Sequence, residues 1–594
     1  MFCSNRPSVW AFLFLAFATP LAAQSAPSPT FAHDIARILY DHCASCHRLG
    51  EAAPFSLLTY SDAQQHAPEI YASVRARKMP PWLPEGGYGD FANDPRLTDD
   101  QIRLIEDWVK AGAPEGPASE TPPSPHFTEG WQLGPPDMIL EASHAHTVPA
   151  TGPDIFWNFI FSPPTTTRRY VRAIEVRPGI PHGVHHANLL VDRAGSARLQ
   201  EIEPGAGFPG MDVKIARGVF DFDSHFLFWK PGSAPWVEPD GLAWELDPGN
   251  DLVLNAHIMT MGMPMAVRPS IGLYFTDKPP TKFPLLIELE HDGALDIPAD
   301  ARDFTVSDNF RLPLDVDVLA IYPHAHYLGH LLEGYATLPN GERKWLIRID
   351  HWDPNWQAVY HYREPVFLPK GTVVSMRWHY DNSASNPRNP HKPPQRVEGG
   401  NQSTDEMGHL WLQVLPRGSG DRRPEIEEAM MRHQLEKYPR DYAAHLYLGA
   451  LMLSRLNPGG AVDEIAEAVR INPKQAEGHN WYGVALGAVG RTQESIAQFR
   501  AALAIQPDYT SARYNLAKAL VKSGHLDEAA KEFSAVVLAD PNDALVRNSY
   551  GELLLRMNRP ADAIEQFNRA LALDPSAKSA RENRDLAKSQ LSAQ

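Results

Sequence analysis

Cysteine is nearly missing from this chain: 594 residues hold three, Cys3, Cys43 and Cys46. So few thiols exclude a disulfide framework, and any core must hold by packing. Positive charge is also in short supply. Lys and Arg number 55 against 72 Asp and Glu, a formal net charge of -17. A chain that grips phosphates needs a basic face, so nucleic acid is excluded as a partner. Apolar runs long enough to stay in a bilayer are lacking too. The one strongly apolar stretch, Trp10 to Leu21, follows Arg6 and precedes the small-residue site Leu21-Ala22-Ala23. Residues 1–24 therefore read as a secretory signal that takes Cys3 with it. The mature protein is expected to be periplasmic or secreted, with no transmembrane segment after cleavage.

What is present begins with the two surviving cysteines. Cys43-Ala44-Ser45-Cys46-His47 is the spacing of c-type haem attachment, in which two thiols add to the porphyrin and the histidine becomes an iron ligand. A helix is predicted before it, Phe31 to Asp41, and another at Asp99 to Ala111, with Ile102, Ile105 and Trp108 at helical spacing before Gly112. The sixth iron ligand should be Met or His. Met79, stiffened by Pro80 and Pro81, is the first candidate and His66 the alternative. Residues 28–115 resemble a small class I cytochrome c, which implies one covalent haem c passing single electrons.

Residues 116–127 are rich in Pro, Ser and Glu and read as a linker. Beyond them the texture changes. Tyr170 to Val176 and Gly371 to Trp378 alternate apolar and polar residues, with Pro, Gly, Asp and Asn between such runs. That pattern predicts two antiparallel β-sandwich, jelly-roll-like domains, at 128–275 and 276–418. His324 and His326 lie two apart in a predicted strand, so both imidazoles leave one face and form a bidentate clamp. His185 and His186 are adjacent and would point oppositely in a regular strand. One metal can take both only at a bulge or strand end, which Gly183 makes easier. His257 would complete that first site, and His182 is the substitute if the pair is assigned wrongly. Three imidazoles accept copper in either state, or zinc. A thioether such as that of Met407 favours Cu(I).

Taken in order, these residues resemble the copper type II, ascorbate-dependent monooxygenases, the family of peptidylglycine alpha-hydroxylating and dopamine beta-hydroxylating enzymes. The resemblance spans roughly 140 to 415. Thr404-Asp405-Glu406-Met407 is the most specific match and His324-Ala325-His326-Tyr327-Leu328-Gly329 the next. It implies two copper ions: an electron-transfer copper on His185, His186 and His257, and an oxygen-binding copper on His324, His326 and Met407, which are then the catalytic ligands. It implies O2 as co-substrate, hydroxylation of a C–H bond, ascorbate as an external reductant, and an electron that crosses a solvent-filled cleft between the coppers. Two departures bear on substrate. Where the peptide-amidating enzymes place a carboxylate-gripping arginine, this chain has Tyr322; where they place a tyrosine after the copper methionine, it has Trp411. A C-terminal glycine peptide is therefore not the expected substrate. His330, His379, His391 and His409 are expected in supporting or surface roles.

The C-terminal third repeats. Pro439, Pro473, Pro507, Pro541 and Pro575 are each 34 residues apart, the tetratricopeptide period. Gly449, Gly483, Ala517 and Gly551 recur at one packing position, and Ile465, Phe499, Phe533 and Phe567 at another. The reading is a linking helix at 425–441, four repeats at 442–577 in an α-solenoid, a capping helix at 578–594, and a protein partner on the concave face. The functional expectation is an exported copper monooxygenase acting on a small organic molecule, with electrons delivered through its own haem. The alternative is a non-catalytic haem and copper electron-transfer module docked to a partner by the repeats.

Overall fold

A computed structural model describes residues 28–49, 51, 53–127, 130–180, 183–211, 213, 215 and 224–593. The signal, Cys3 and His182 lie outside the described residues. The chain divides into two compact units, residues 1–82 with 95–126, and residues 83–94 with 127–594.

The first unit is helical. A turn of wider helix, Phe31–Ile35, runs into Ala36–His42, and three more helices follow at Tyr60–Gln65, Ala67–Arg75 and Asp99–Lys110. Thr98 and Gln101 satisfy one another's backbone donors in a capping box that starts the last helix. Phe31, Ile35, Leu39, Ile70, Val74, Ile105 and Trp108 form the core. The Trp108 indole donates to the Pro114 carbonyl at 3.0 Å.

The second unit contains two sandwiches and a helical array. In the first sandwich a five-stranded sheet runs in the order Phe208–Pro209, Ile155–Phe161, Asp251–Ile258, Val184–Asp192, Phe228–Trp229. Facing it is a four-stranded sheet in the order Met138–Glu141, Ser270–Thr276, Arg169–Arg177, Trp244–Leu246. All their pairings are antiparallel. Phe161, Val171, Leu246, Leu252, Leu254, Ile271 and Leu273 fill the space between, each contributing about 1.5–3 kcal/mol by leaving water.

The second sandwich pairs two four-stranded sheets. One has the order Leu285–Glu290, Gly408–Pro416, Val316–Ala325, Tyr360–Leu368; the other Phe304–Arg311, Val373–Tyr380, Gly329–Thr337, Arg343–Ile349. Residues 83–94, which the sequence reading puts in the haem segment, belong to this unit instead. They lie along the sandwich: Glu85 N–H donates to Arg348 O and Ala92 N–H to His361 O, both at 2.8 Å.

Strand Phe304–Arg311 alternates buried and exposed residues, and one inward position is an acid, Asp308. Its partners explain the exception. The Lys437 ammonium donates to Asp308 Oδ2 at 2.9 Å and His433 Nε2 to Oδ1 at 2.7 Å, both from helix Arg423–Lys437. Lys437 also reaches Glu290, whose other oxygen accepts from the Tyr438 hydroxyl at 3.0 Å. This buried polar cluster fastens the helical array to the sandwich.

Four helix pairs follow: Tyr442–Ser454 with Pro458–Ile471, Ala476–Ala488 with Thr492–Ile505, Thr510–Lys522 with Leu526–Ala539, and Ala544–Arg556 with Pro560–Leu573, then Lys578–Ala593. The recurrent glycines are needed for close approach. A Cβ on Gly483 would lie 2.5 Å from the Phe499 ring, and one on Gly551 2.5 Å from Phe567. Among the described residues no helix is long and apolar enough to cross a membrane.

Candidate metal centre

The first cluster sits on two neighbouring central strands. Strand Val184–Asp192 pairs with Asp251–Ile258, and their register slips between Val184 and His186, so that His186 faces His257. This irregularity is the bulge that two adjacent ligands require. Gly183 contributes by its smallness: a Cβ there would lie 2.1 Å from Ile180 Cδ1. The result brings three rings together, with centroids 4.9 to 5.2 Å apart and steeply inclined to one another.

Their Nδ1 atoms converge. His185 Nδ1 is 3.1 Å from that of His186 and 3.3 Å from that of His257, and the cluster's ligand atoms all lie within 4.8 Å of one another. Asp154 Oδ2 accepts from His257 Nε2 at 2.9 Å, which turns the ring so that Nδ1 faces inward. Phe156 stacks flat on His257 at 4.5 Å. Among the described residues, no hydrogen-bond partner meets the buried His185 Nε2. Burial first, then the neighbouring His257, holds the His185 imidazole down at about 4. Burial likewise pushes His186 well below the ordinary histidine value. Imidazole nitrogens converging in this way are what a soft or borderline metal takes, and copper fits this donor set.

The second cluster is built by strand Val316–Ala325, which pairs with Gly408–Pro416 so that Ala325 faces Gly408. His324 lies in the strand and His326 one residue past it. Met407, 6 % exposed, directly precedes the partner strand, as His326 directly follows its own. The two histidine rings are 5.2 Å apart and nearly perpendicular. Both Nδ1 atoms are tied back. His326 Nδ1 donates to the Asp405 carbonyl at 3.0 Å, and His324 Nδ1 to Gln357 Oε1 at 2.8 Å. Each ring therefore keeps Nε2 for a metal. Burial lowers both imidazoles below the usual range.

The local sequence explains this rigidity. The buried Glu406 carboxylate accepts from the backbone of His326, Leu328 and Met407, joining the Asp-Glu-Met segment to the His-x-His segment. The Tyr380 hydroxyl donates to Met407 O at 2.9 Å, and the Trp378 indole to His324 O at 2.9 Å. Nothing larger than Gly408 fits beneath, since a Cβ would stand 2.5 Å from the Tyr380 oxygen.

The two clusters are joined by a side chain that the sequence reading did not single out. Gln357 follows the short helical turn Pro354–Trp356 and is 4 % exposed. Its oxygen accepts from the Tyr322 hydroxyl and from His324 Nδ1, both at 2.8 Å, while its amide donates to His186 Nδ1 at 3.3 Å. The expected solvent-filled cleft is therefore bridged here by one amide. The wall beside it is aromatic: Phe228 lies 5.4 Å from Tyr322, and Phe226 6.1 Å. No local motif marks Gln357 or Asp154, because both reach the histidines only through tertiary contact.

The remaining histidines have other partners. His409 sits between Asp292, at 2.7 Å, and Glu288, at 3.1 Å. Although burial opposes the charged form, these two carboxylates raise it to about 10. His379 Nδ1 donates to Asp303 at 2.6 Å, and the His330 ring lies 6.2 Å from it. The His391 backbone donates to Asn389.

In the helical unit, His47 Nδ1 donates to the Phe55 carbonyl at 3.2 Å, which leaves Nε2 for iron. Cys43 and Cys46 form no disulfide with one another. Burial first and then Cys46 push the Cys43 thiol up to about 12, so it is protonated. His66 stacks on Phe55 at 3.8 Å, and its Nδ1 meets Glu69 at 2.9 Å. Met79 lies half-buried, four residues beyond the end of helix Ala67–Arg75. The donor set fits a c-type haem on Cys43, Cys46 and His47.

Comparison with known proteins adds the family context. The family model for the copper type II ascorbate-dependent monooxygenase C-terminal domain matches residues 304–418. Tetratricopeptide repeat models match residues 453–510 and 488–553. No curated protein matches. Among solved structures, YrrB, a TPR protein with an unusual peptide-binding site, is 21% identical and covers 27% of this chain and 84% of its own, with a TM-score of 0.25. MamA is 20% identical over 26% of this chain and 92% of its own, with a TM-score of 0.25. TTC0263, a thermophilic TPR protein of Thermus thermophilus, is 19% identical over 28% and 90%, also with a TM-score of 0.25. The second sandwich thus carries the C-terminal domain of the copper type II ascorbate-dependent monooxygenases, and tetratricopeptide repeats follow it.

Proposed function

We propose that this protein is an exported copper monooxygenase that hydroxylates a C–H bond of a small organic substrate with O2. The observation that carries the reading is the pairing of two unlike donor sets around one amide. Three imidazoles converge through Nδ1 on one side of Gln357, and a His-x-His pair tied through Glu406 to the Met407 segment lies on the other. His185, His186 and His257 would hold one copper, and His324, His326 and Met407 the other. Copper at these positions supplies one-electron redox chemistry and, on the thioether side, a site that favours the Cu(I) state.

The chain's own residues do the rest. Asp154, Gln357 and the Asp405 carbonyl hold ring orientation, so the ligands need little reorganisation. Glu406 and Tyr380 lock the Met407 segment. Phe226, Phe228 and Tyr322 supply an apolar, uncharged wall beside the second cluster, which suits a substrate without a carboxylate. Cys43, Cys46 and His47 would hold a haem c, with Met79 or His66 as sixth ligand, and that haem or external ascorbate would supply electrons. A protein partner occupies the repeats.

The experiment is site-resolved copper analysis. A His185→Ala/His186→Ala variant and a His324→Ala/His326→Ala variant should each lose one copper and keep the other. Under reductant, only protein with both coppers should consume O2 in a substrate-dependent way. Loss of both coppers from either variant removes the two-site reading. Two intact copper sites with no uptake on any substrate leave the electron-transfer alternative.

A further inference from the structure

Four of the chain's 14 methionines fall within seven residues, at alternate positions: Met259, Met261, Met263 and Met265. They follow directly on strand Asp251–Ile258, which carries His257. Met265 begins the next strand and packs on the sandwich core. The other three do not pack inward. Met259 is 37 %, Met261 46 % and Met263 63 % exposed. Three thioethers held in water at every second residue are not explained by the core.

The segment is anchored on two sides beside the three-histidine cluster. Met259 N–H donates to Gly183 O at 2.9 Å, just before His185 and His186. Thr260 Oγ1 donates to Gly152 O at 3.2 Å, and Gly262 N–H to Ala150 O at 2.9 Å, in the segment that leads to Asp154. Gly262 takes a φ of +76°, which turns the chain between Met261 and Met263. The three methionines therefore sit on a fixed turn that starts two residues from a ligand of the three-histidine cluster.

Thioethers are neutral, soft donors. They bind hard cations and zinc poorly and select Cu(I). A surface for a protein partner can use methionine's flexible bulk, but it does not require sulfur at each alternate position. We propose that Met259, Met261 and Met263 form a Cu(I)-binding site at the surface of the first sandwich, which passes Cu(I) to His185, His186 and His257. The transfer is a ligand exchange. Copper stays Cu(I), a thioether leaves as a neutral imidazole Nδ1 binds, and no electron or proton is consumed. The transfer step rests on the copper reading of the three-histidine cluster; the Cu(I) site itself does not.

The test is an anaerobic titration of full-length, metal-free protein with Cu(I), using bicinchoninate as competing chelator. Wild type is compared with a Met259→Leu/Met261→Leu/Met263→Leu variant and with His185→Ala/His186→Ala. Leucine keeps side-chain bulk at exposed positions, and an unchanged melting temperature certifies the fold. The methionine variant should bind one Cu(I) fewer than wild type, and His185→Ala/His186→Ala should retain that extra equivalent, with more sulfur per copper in its X-ray absorption than the one thioether of Met407 provides. Equal Cu(I) stoichiometry in wild type and the methionine variant overturns the site. An extra equivalent held by sulfur, in a protein whose histidine clusters take no copper, keeps this site and sinks the oxygenase reading instead.

Discussion

Replacing Gln357 by methionine separates the hydrogen bonds it makes from the space it fills. The two side chains are close in volume, so no large cavity forms. Two buried donors, the Tyr322 hydroxyl and His324 Nδ1, lose an acceptor at 2.8 Å. Each such loss costs about 1–3 kcal/mol. Partial relief by hydroxyl rotation brings the sum to about 2–4 kcal/mol. For a region of this size, about 2–4 °C per kcal/mol converts this to a fall of about 4–16 °C in the sandwich melting transition. The metal sites respond unequally. His324 loses the partner that fixes its ring, so the second cluster should weaken for Cu(I) by about 10–100-fold. The three-histidine cluster should keep its affinity, because the Gln357 amide faces His186 Nδ1, the atom a metal would occupy. Calorimetric melting and a Cu(I) competition titration of each cluster, the other removed by mutation, read both effects. A melting shift under about 1 °C, or equal weakening at both clusters, refutes the assignment of Gln357 as the support of His324.

Three further expectations follow from particular contacts. Asp154→Asn removes the carboxylate 2.9 Å from His257 Nε2, and should weaken copper at the three-histidine cluster by about 10–100-fold while leaving the second cluster intact, as read by competition titration. Burial pushes Asp308 up, but its hydrogen bonds from His433 and Lys437 outweigh this and set it at about 2, below its ordinary 3.8. A depressed carboxylate stabilises above its unfolded value and loses that contribution as pH falls through the folded one. Attachment of helix Arg423–Lys437 should therefore weaken by roughly 2 kcal/mol between about pH 4 and pH 2, and Asp308→Asn should abolish that pH step in hydrogen exchange of the helix. In the repeats, Leu456 holds a φ of +58° at the turn where Gly490 and Gly524 stand in later repeats, so Leu456→Gly should stabilise the array by about 1 kcal/mol in denaturant unfolding.

The sequence was most legible where period or local pattern carries the structure. The 34-residue prolines and recurrent glycines announce the helix pairs because each repeat solves the same packing problem as the one before it. The need for a bulge at His185 and His186 follows from strand alternation, and the register slip lies at that point. His-x-His and Asp-Glu-Met meet because Glu406 ties their backbones together. Legibility ends where a residue acts only through tertiary contact. Asp154 lies 103 positions from His257, and Gln357 lies 171 from His186. Neither spacing leaves a local trace. Residues 83–94 escape a sequence reading for a related reason: short irregular chain shows no period, and its hydrogen bonds go to Arg348 and His361 far along the sequence.

The central claim is that His324, His326 and Met407 hold an oxygen-activating copper distinct from the one on His185, His186 and His257. The most direct measurement is incorporation of isotopically labelled oxygen from O2 by copper-loaded protein with a reductant, screened over small uncharged organic molecules, in wild type and Met407→Ala. One labelled atom should appear in the wild-type product. None should appear from Met407→Ala, with copper still bound at the three-histidine cluster. Undiminished product from Met407→Ala, or no labelled product from wild type with both coppers bound, would contradict it.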